Sequence, residues 1–150
     1  MANAIARPPS MGEIVELVRQ QIIVLEELAI SEGITIDYVK PHGALYHDMI
    51  KNAEVRSAIF SAVAKYPTSR MVMIQATPKI KSNQTEAAAV GLCLWAEAFA
   101  DRRYNNAGRL LPRQEAGAVL DRSQMLAQVQ QLVTKGSVIT DAGNILAVSA

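Results

Sequence analysis

A single cysteine, Cys93, excludes an intrachain disulfide and any zinc site built from several thiolates. With no oxidative staple to read, a reducing compartment is the default expectation. No charge of one sign dominates: Lys and Arg total 15, Asp and Glu total 14, and the net charge is +1. A near-neutral chain without a basic block argues against gripping a nucleic-acid backbone by charge alone. Long apolar runs are missing as well. The longest reaches only from Ala87 to Ala96, Gly91 included, well short of the roughly 20 residues of a membrane span. Met1–Pro9 lacks the apolar centre of a signal peptide. A soluble, cytoplasmic protein with no membrane contact is expected. What is present suits a single packed domain: 150 residues, 50% hydrophobic and 19% charged.

The pattern of apolar residues alternates between helix and strand periods. After the lead-in ending in Pro8-Pro9, Ser10-Met11-Gly12-Glu13 has the form of a capping box. Ile14, Leu17, Val18, Leu25, Leu28 and Ala29 then recur at helical spacing, which predicts an amphipathic helix over Gly12–Ser31, stopped at Gly33. Ile34–Val39 is β-branched and alternating, so it reads as a strand ending before Pro41. Ala53–Lys65 reads as a helix opened by Asn52 and ended by Pro67. Met71–Ala76 is of strand length and ends before Pro78. A helix capped within Asn83–Glu86, a break at Gly91 and a strand over Leu94–Ala100 follow. Tyr104–Glu115 reads as a loop and Gly117–Leu120 as a short extended piece. Ser123–Lys135 reads as a helix carrying Leu126, Val129, Leu132 and Val133, stopped by Gly136. A hairpin of Val138–Thr140 and Ile145–Val148 around Asp141–Asn144 closes the chain. Such alternation calls for an α/β fold with a parallel sheet covered by helices.

In sheets of this kind functional groups gather past the C-terminal ends of strands. Two segments occupy that position. Lys40-Pro41-His42-Gly43-Ala44-Leu45-Tyr46 offers a cation for a carboxylate or phosphate, an imidazole that titrates near neutrality, and a glycine that admits close approach. Its plainer reading is a polar surface turn. Glu97–Tyr104 places Glu97 in an apolar stretch, where an ionised carboxylate is costly unless paired, and ends in Asp101 and Arg102. Its plainer reading is a structural ion pair. Strand alternation puts residues 97, 99 and 101 on one side, so Glu97 and Asp101 are expected to face the same cavity as Lys40 and His42. Arg113 is a fixed cation that by itself reads as a solvated surface residue. Cys93 reads as a small core residue. His42 and His47, five apart in a loop, are not a specific ligand pattern, and no metal is assigned. No Walker-type loop, GxGxxG or GxSxG occurs.

The same segments carry a family resemblance. Val39–Tyr46 resembles the VKPHGALY signature of the LamB/YcsF family, and Glu97–Tyr104 its E-x-FADR-x-Y signature. Gly108–Arg113 is similar to the family's G-x-L-x-P-R, and Gly117-Ala118-Val119 to its GAV segment. The resemblance implies the A subunit of an ATP-dependent 5-oxoprolinase, known in older usage as a lactam utilization protein. With the B and C subunits of 5-oxoprolinase it would open the lactam of 5-oxo-L-proline to L-glutamate, with ATP as cosubstrate. It also implies an irregular β/α barrel of the glycoside hydrolase/deacetylase type. Carried over residue by residue, His42, Glu97 and Asp101 would be catalytic. Lys40, Arg102 and Arg113, with the signature tyrosines Tyr46 and Tyr104, would bind substrate or phosphate.

The chain departs from that family pattern in three ways. The family's NCD-x-GE and N-x-ACGFH-x-GD segments have no counterpart, position 47 is His where Asn is common, and Ser149-Ala150 precede the family's CVHGD segment. A full barrel typically needs roughly 250 residues. The expectation is therefore a partial barrel, inactive by itself, as a fragment or a degenerate product. Two other readings follow: a non-catalytic α/β interaction module, and, from fold analogy alone, a carbohydrate deacetylase or hydrolase.

Overall fold

The computed structural model describes residues 7–66 and 70–148. Its elements run α1 (Met11–Ser31), α2 (Gly43–Lys51), α3 (Ala53–Val63), β1 (Met71–Gln75), α4 (Ile80–Ala88), β2 (Cys93–Glu97), α5 (Arg122–Lys135), β3 (Ser137–Ile139) and β4 (Ile145–Ala147). β1 pairs with β2, and β3 with β4. The chain forms two compact units. The first runs to Val72 and includes Glu86–Cys93; the second comprises Met73–Thr85 and Leu94 onward.

In the first unit the expected capping box starts α1. The Ser10 hydroxyl accepts the Glu13 N–H, and the Glu13 carboxylate accepts the Ser10 N–H at 2.8 Å. Arg7 donates two hydrogen bonds to the same carboxylate, which with the Ser10 backbone holds its pKa down at about 2. α1 packs on α3 through Ile14, Val18 and Ile22, and the Tyr66 hydroxyl donates to the Arg19 carbonyl at 3.2 Å. Leu17, Leu25 and Leu28, expected inward, are instead 50–59% exposed. One neighbouring helix covers one stripe, and the 14–18–22 stripe takes it.

Ile34–Val39 is not a strand. Only Val39 meets a partner, bridging Val72 in parallel with its N–H on the Met71 carbonyl at 2.9 Å. Its β-branched residues favour extension, but a ladder requires a facing backbone. The segment after Pro41 is α2 rather than a turn. Gly43 opens it and His42 contributes no capping side-chain bond, so the usual helix-start signals are absent. Asn52 then caps α3 as expected, accepting the N–H groups of Glu54 and Val55. Pro67, expected to end α3, lies outside the described residues. Arg56 on α3 pairs with Glu86 at 2.8 Å and donates to the Met49 carbonyl at 3.1 Å. Cys93, expected in the core, is an exposed thiol at the start of β2.

In the second unit the core centres on Ala76, Tyr104, Val138 and Val148, with Phe99, Leu110, Leu132 and Leu146 against it. α4 begins at Ile80, earlier than the Asn83–Glu86 signal suggested, and Asn83 is buried inside it. β2 ends at Glu97, not at Ala100. α5 is capped by Asp121, whose carboxylate accepts the Gln124 N–H at 2.9 Å, and closes at Gly136. Of its apolar residues Leu132 packs against the core while Leu126, Val129 and Val133 are exposed, and the buried residue is Gln128. The hairpin forms as expected, with Val138 opposite Leu146 in antiparallel register.

The expected loop over Tyr104–Glu115 is ordered by a tight reversal. Asn105 donates its N–H to the Arg109 carbonyl at 2.8 Å, and its side chain accepts the N–H groups of Ala107 and Arg109. Gly108 sits inside at φ 74, its carbonyl accepting from the buried Gln75 amide at 2.7 Å. A Cβ there would lie 2.6 Å from Pro78 Cδ, on a ring that cannot swing aside. A side chain at Gly108 therefore meets both left-handed strain and overlap. Gly108→Ala is expected to cost roughly 2–4 kcal/mol and lower Tm by roughly 5–15 °C. Gly143→Ala, at φ 79 with open space around it, bears only the conformational part. Equal losses in thermal unfolding of the two variants would refute the Pro78 contact.

Candidate active site

Each expected site residue is described within its own unit. In the first unit, Val39 is tied to the Met71 carbonyl, and the chain passes through buried Pro41 to His42 at the N-terminus of α2. His42 Nδ1 lies 2.7 Å from the Lys40 carbonyl. A carbonyl only accepts, so Nδ1 carries the proton, and in the neutral ring Nε2 is the acceptor. The Lys40 ammonium stands 5.8 Å from the centre of the Tyr46 ring, within cation–π range. Tyr46 is buried and meets the His47 ring edge-on. Lys40, His42 and Leu45 line a cleft of about 590 Å³ whose far wall is the apolar side of α1, including Leu17, Val18 and Leu25. The ammonium and the unsatisfied N–H groups opening α2 both favour an anion here. His47 lies on α2 rather than in a loop. Among the described residues no group of three or more His, Cys, Asp or Glu could hold a metal ion.

In the second unit, Glu97 is the last residue of β2, half-buried, and its carbonyl accepts the Ala76 N–H at 2.8 Å. Alternation places it with Cys93 and Trp95, the more exposed side of the strand. Asp101 is not on that strand. It projects from a turn past its end, so the expected 97–99–101 alternation does not apply. Its carbonyl accepts the Leu120 N–H at 2.9 Å, and its carboxylate has no hydrogen-bond or ion-pair partner among the described residues.

Arg102 and Tyr104, expected to bind substrate or phosphate, are buried in the interior of the unit. Arg102 is 5% exposed, with Nε donating to the Ala118 carbonyl at 3.4 Å and Nη2 to the Leu111 carbonyl at 2.5 Å. Burial, and then the nearby Arg113 charge, push its pKa below the usual arginine value. Tyr104 has no exposed surface, and its hydroxyl accepts the Phe99 N–H at 2.7 Å. Arg113 is exposed in the turn after Pro112. The sequence pattern did not single out Gln128, whose amide donates to the carbonyls of Phe99, Ala100 and Arg102. The available signal was the spacing of Gln124, Gln128 and Gln131, a row of amides on one helix face.

Burial pushes the Tyr104 hydroxyl up to about 12. An unfolded tyrosine ionises near 10. The native state therefore holds this proton longer, and the contribution to stability is full below about pH 10 and lost as pH rises towards about 12. Urea midpoints between pH 8 and pH 11.5 should fall more steeply for the wild type than for Tyr104→Phe. The variant should also lose about 1–3 kcal/mol at pH 8 through the stranded Phe99 N–H. Identical alkaline slopes would contradict this burial.

Comparison with known proteins adds a family. The LamB/YcsF family model matches residues 8–150. The A subunit of 5-oxoprolinase from Pseudomonas fluorescens is 38% identical over 85% of this chain and 51% of its own length. That of Chromohalobacter salexigens is 36% identical over 91% and 55%. The crystal structure of a lactam utilization protein from Thermus thermophilus superposes with a TM-score of 0.82 at 30% identity, over 96% of this chain and 57% of that one. The chain thus spans about half the length of the curated relatives it matches. The structural match agrees with the expected α/β fold class, part of the family's larger fold.

Proposed function

Because the chain belongs to the LamB/YcsF family, we propose that it acts as part of the A subunit of an ATP-dependent 5-oxoprolinase, in a complex with the B and C subunits. The family match through both signature segments carries this reading. An unstrained lactam is a stable amide; ATP would phosphorylate its carbonyl oxygen with release of ADP, so that C–N cleavage after water attack leaves an acyl phosphate whose hydrolysis releases phosphate and glutamate. In this reading Lys40 and the opening of α2 hold the substrate carboxylate or a phosphate. Glu97 or Asp101 takes a proton from the attacking water. His42, as the imidazolium with Nδ1–H held by the Lys40 carbonyl, gives its Nε2 proton to the ring nitrogen as the C–N bond breaks. Arg113 adds positive charge, Tyr46 supports the Lys40 ammonium, and Arg102 and Tyr104 shape the turn around Asp101. A cytoplasmic setting fits the lone cysteine, and no helix among the described residues is long and apolar enough to cross a membrane.

A second reading, a non-catalytic interaction module, is favoured by one observation: the exposed apolar residues along α1 and α5.

The test replaces the matching segment of the Pseudomonas fluorescens protein with residues 8–150 and assembles it with that organism's B and C subunits. With ATP and 5-oxoproline this chimera should release glutamate. Glu97→Gln or Asp101→Asn should lower the rate about 10²- to 10⁴-fold, the range for loss of a general base. The 150-residue chain, mixed with the same two partners, is expected to give no turnover. A folded, assembled chimera that releases no glutamate refutes the enzymatic reading and leaves the interaction module.

A further inference from the structure

We infer that Gln128 is a positioning residue for the Asp101 carboxylate, acting from α5 through the backbone of the turn that carries it. The inference rests on the functional reading only in calling that carboxylate reactive. Gln128 is the buried residue of α5, while Leu126, Val129 and Val133 on the same helix are exposed. The inward face of the helix sets Gln128 one turn before Leu132, which packs against the core; an amide buried there is costly unless its polar atoms are satisfied. Its Nε2 lies 2.7 Å from the Phe99 carbonyl, 3.2 Å from that of Ala100 and 2.8 Å from that of Arg102. Three acceptors converge on two N–H groups, so only the donor end of the amide can face the turn. Without it, these carbonyls would repel one another around a buried point.

The rest of the turn is held as tightly. The Phe99 N–H donates to the Tyr104 hydroxyl, so that residue is gripped at both its N–H and its carbonyl. The Asp101 carbonyl accepts the Leu120 N–H, and the Arg103 N–H donates to Ala118. The backbone on both sides of Asp101 is therefore fixed, and its carboxylate, which feels the Arg102 charge, makes no hydrogen bond or ion pair among the described residues. A stabilising network would enlist that carboxylate. This one instead fixes where it starts from, which is what supporting groups do for a reacting one. Displacement of a reacting group by about 1 Å can cost around a hundredfold in rate.

NMR on the isotope-labelled 150-residue chain tests this without turnover. Gln128→Met keeps the length and removes both donors; Gln128→Asn keeps the amide but withdraws it by one methylene. Gln131→Met, on the same helix and bonded to Ser137 instead, is the control. In either Gln128 variant that retains the Val138–Leu146 cross-strand contact, amide exchange at Phe99, Arg103 and Leu120 should quicken about 5- to 10-fold, the loss of about one hydrogen bond. The Asp101 carboxyl ¹³C resonance should shift or broaden. The control should move neither. Wild-type values for both readouts in a folded Gln128 variant would overturn the inference, as would an equal change in the Gln131 control. A moved Asp101 resonance, together with an Asp101→Asn chimera of undiminished activity, would refute the catalytic reading and leave the clamp standing.

Discussion

Buried backbone groups must find hydrogen-bond partners, and between Glu97 and α5 no ladder supplies them. The chain from Ala98 to Val119 makes only isolated bridges, among them Arg102–Val119 and Tyr104–Leu110. Side chains take over the task. Gln128 covers three carbonyls, the Tyr104 hydroxyl takes the Phe99 N–H, and Arg102 ties in Leu111 and Ala118. The core of the second unit grows outward from this arrangement, because Tyr104 is both its largest buried side chain and the acceptor that fixes the turn. In a low-dielectric interior such a network is rigid when every member is satisfied and fragile when one is lost. No buried side-chain nitrogen or oxygen among the described residues is left without a partner.

The first unit achieves order by other means. Its core is apolar helix packing along Ile14, Val18 and Ile22 of α1 and Val55, Ile59 and Val63 of α3. The polar groups sit at the margin. His42 is oriented by the carbonyl of its near neighbour Lys40, and Lys40 by the Tyr46 ring. These contacts span only a few residues, so the segment carries its own geometry with it. The two signature segments thus differ in emphasis: beyond Val39, His42 and Lys40 meet near neighbours beside an open cleft, while the turn of the second is covered by Gln128 from more than twenty positions away.

Much of this was legible in the sequence where the controlling interactions are local. The capping box at Ser10 and Glu13, the Asn52 cap, the break at Gly91 and the Asp141–Asn144 hairpin depend on neighbours a few residues apart, and all formed as read. α2 escaped because its start carries no capping side chain and opens on glycine, a poor helix former. Both signature segments were recognisable as the places where polar groups gather.

What the sequence by itself determined is therefore local: helix and turn punctuation, the family, and the residue types available for chemistry. The tertiary structure alone decided which of those residues are offered to a ligand. Arg102 and Tyr104 have the chemistry of binding residues, yet burial and backbone groups claim them, carbonyls for Arg102 and the Phe99 N–H for Tyr104. Ile34–Val39 has the composition of a strand, yet only Val39 meets a partner. On α5 Leu126, Val129 and Val133 lie outside, while Gln128 is inside beside Leu132. The physical reason is common to all three. Hydrophobic periodicity says which residues prefer to be buried, but a hydrogen-bonding demand set elsewhere in the chain decides which face of an element turns inward.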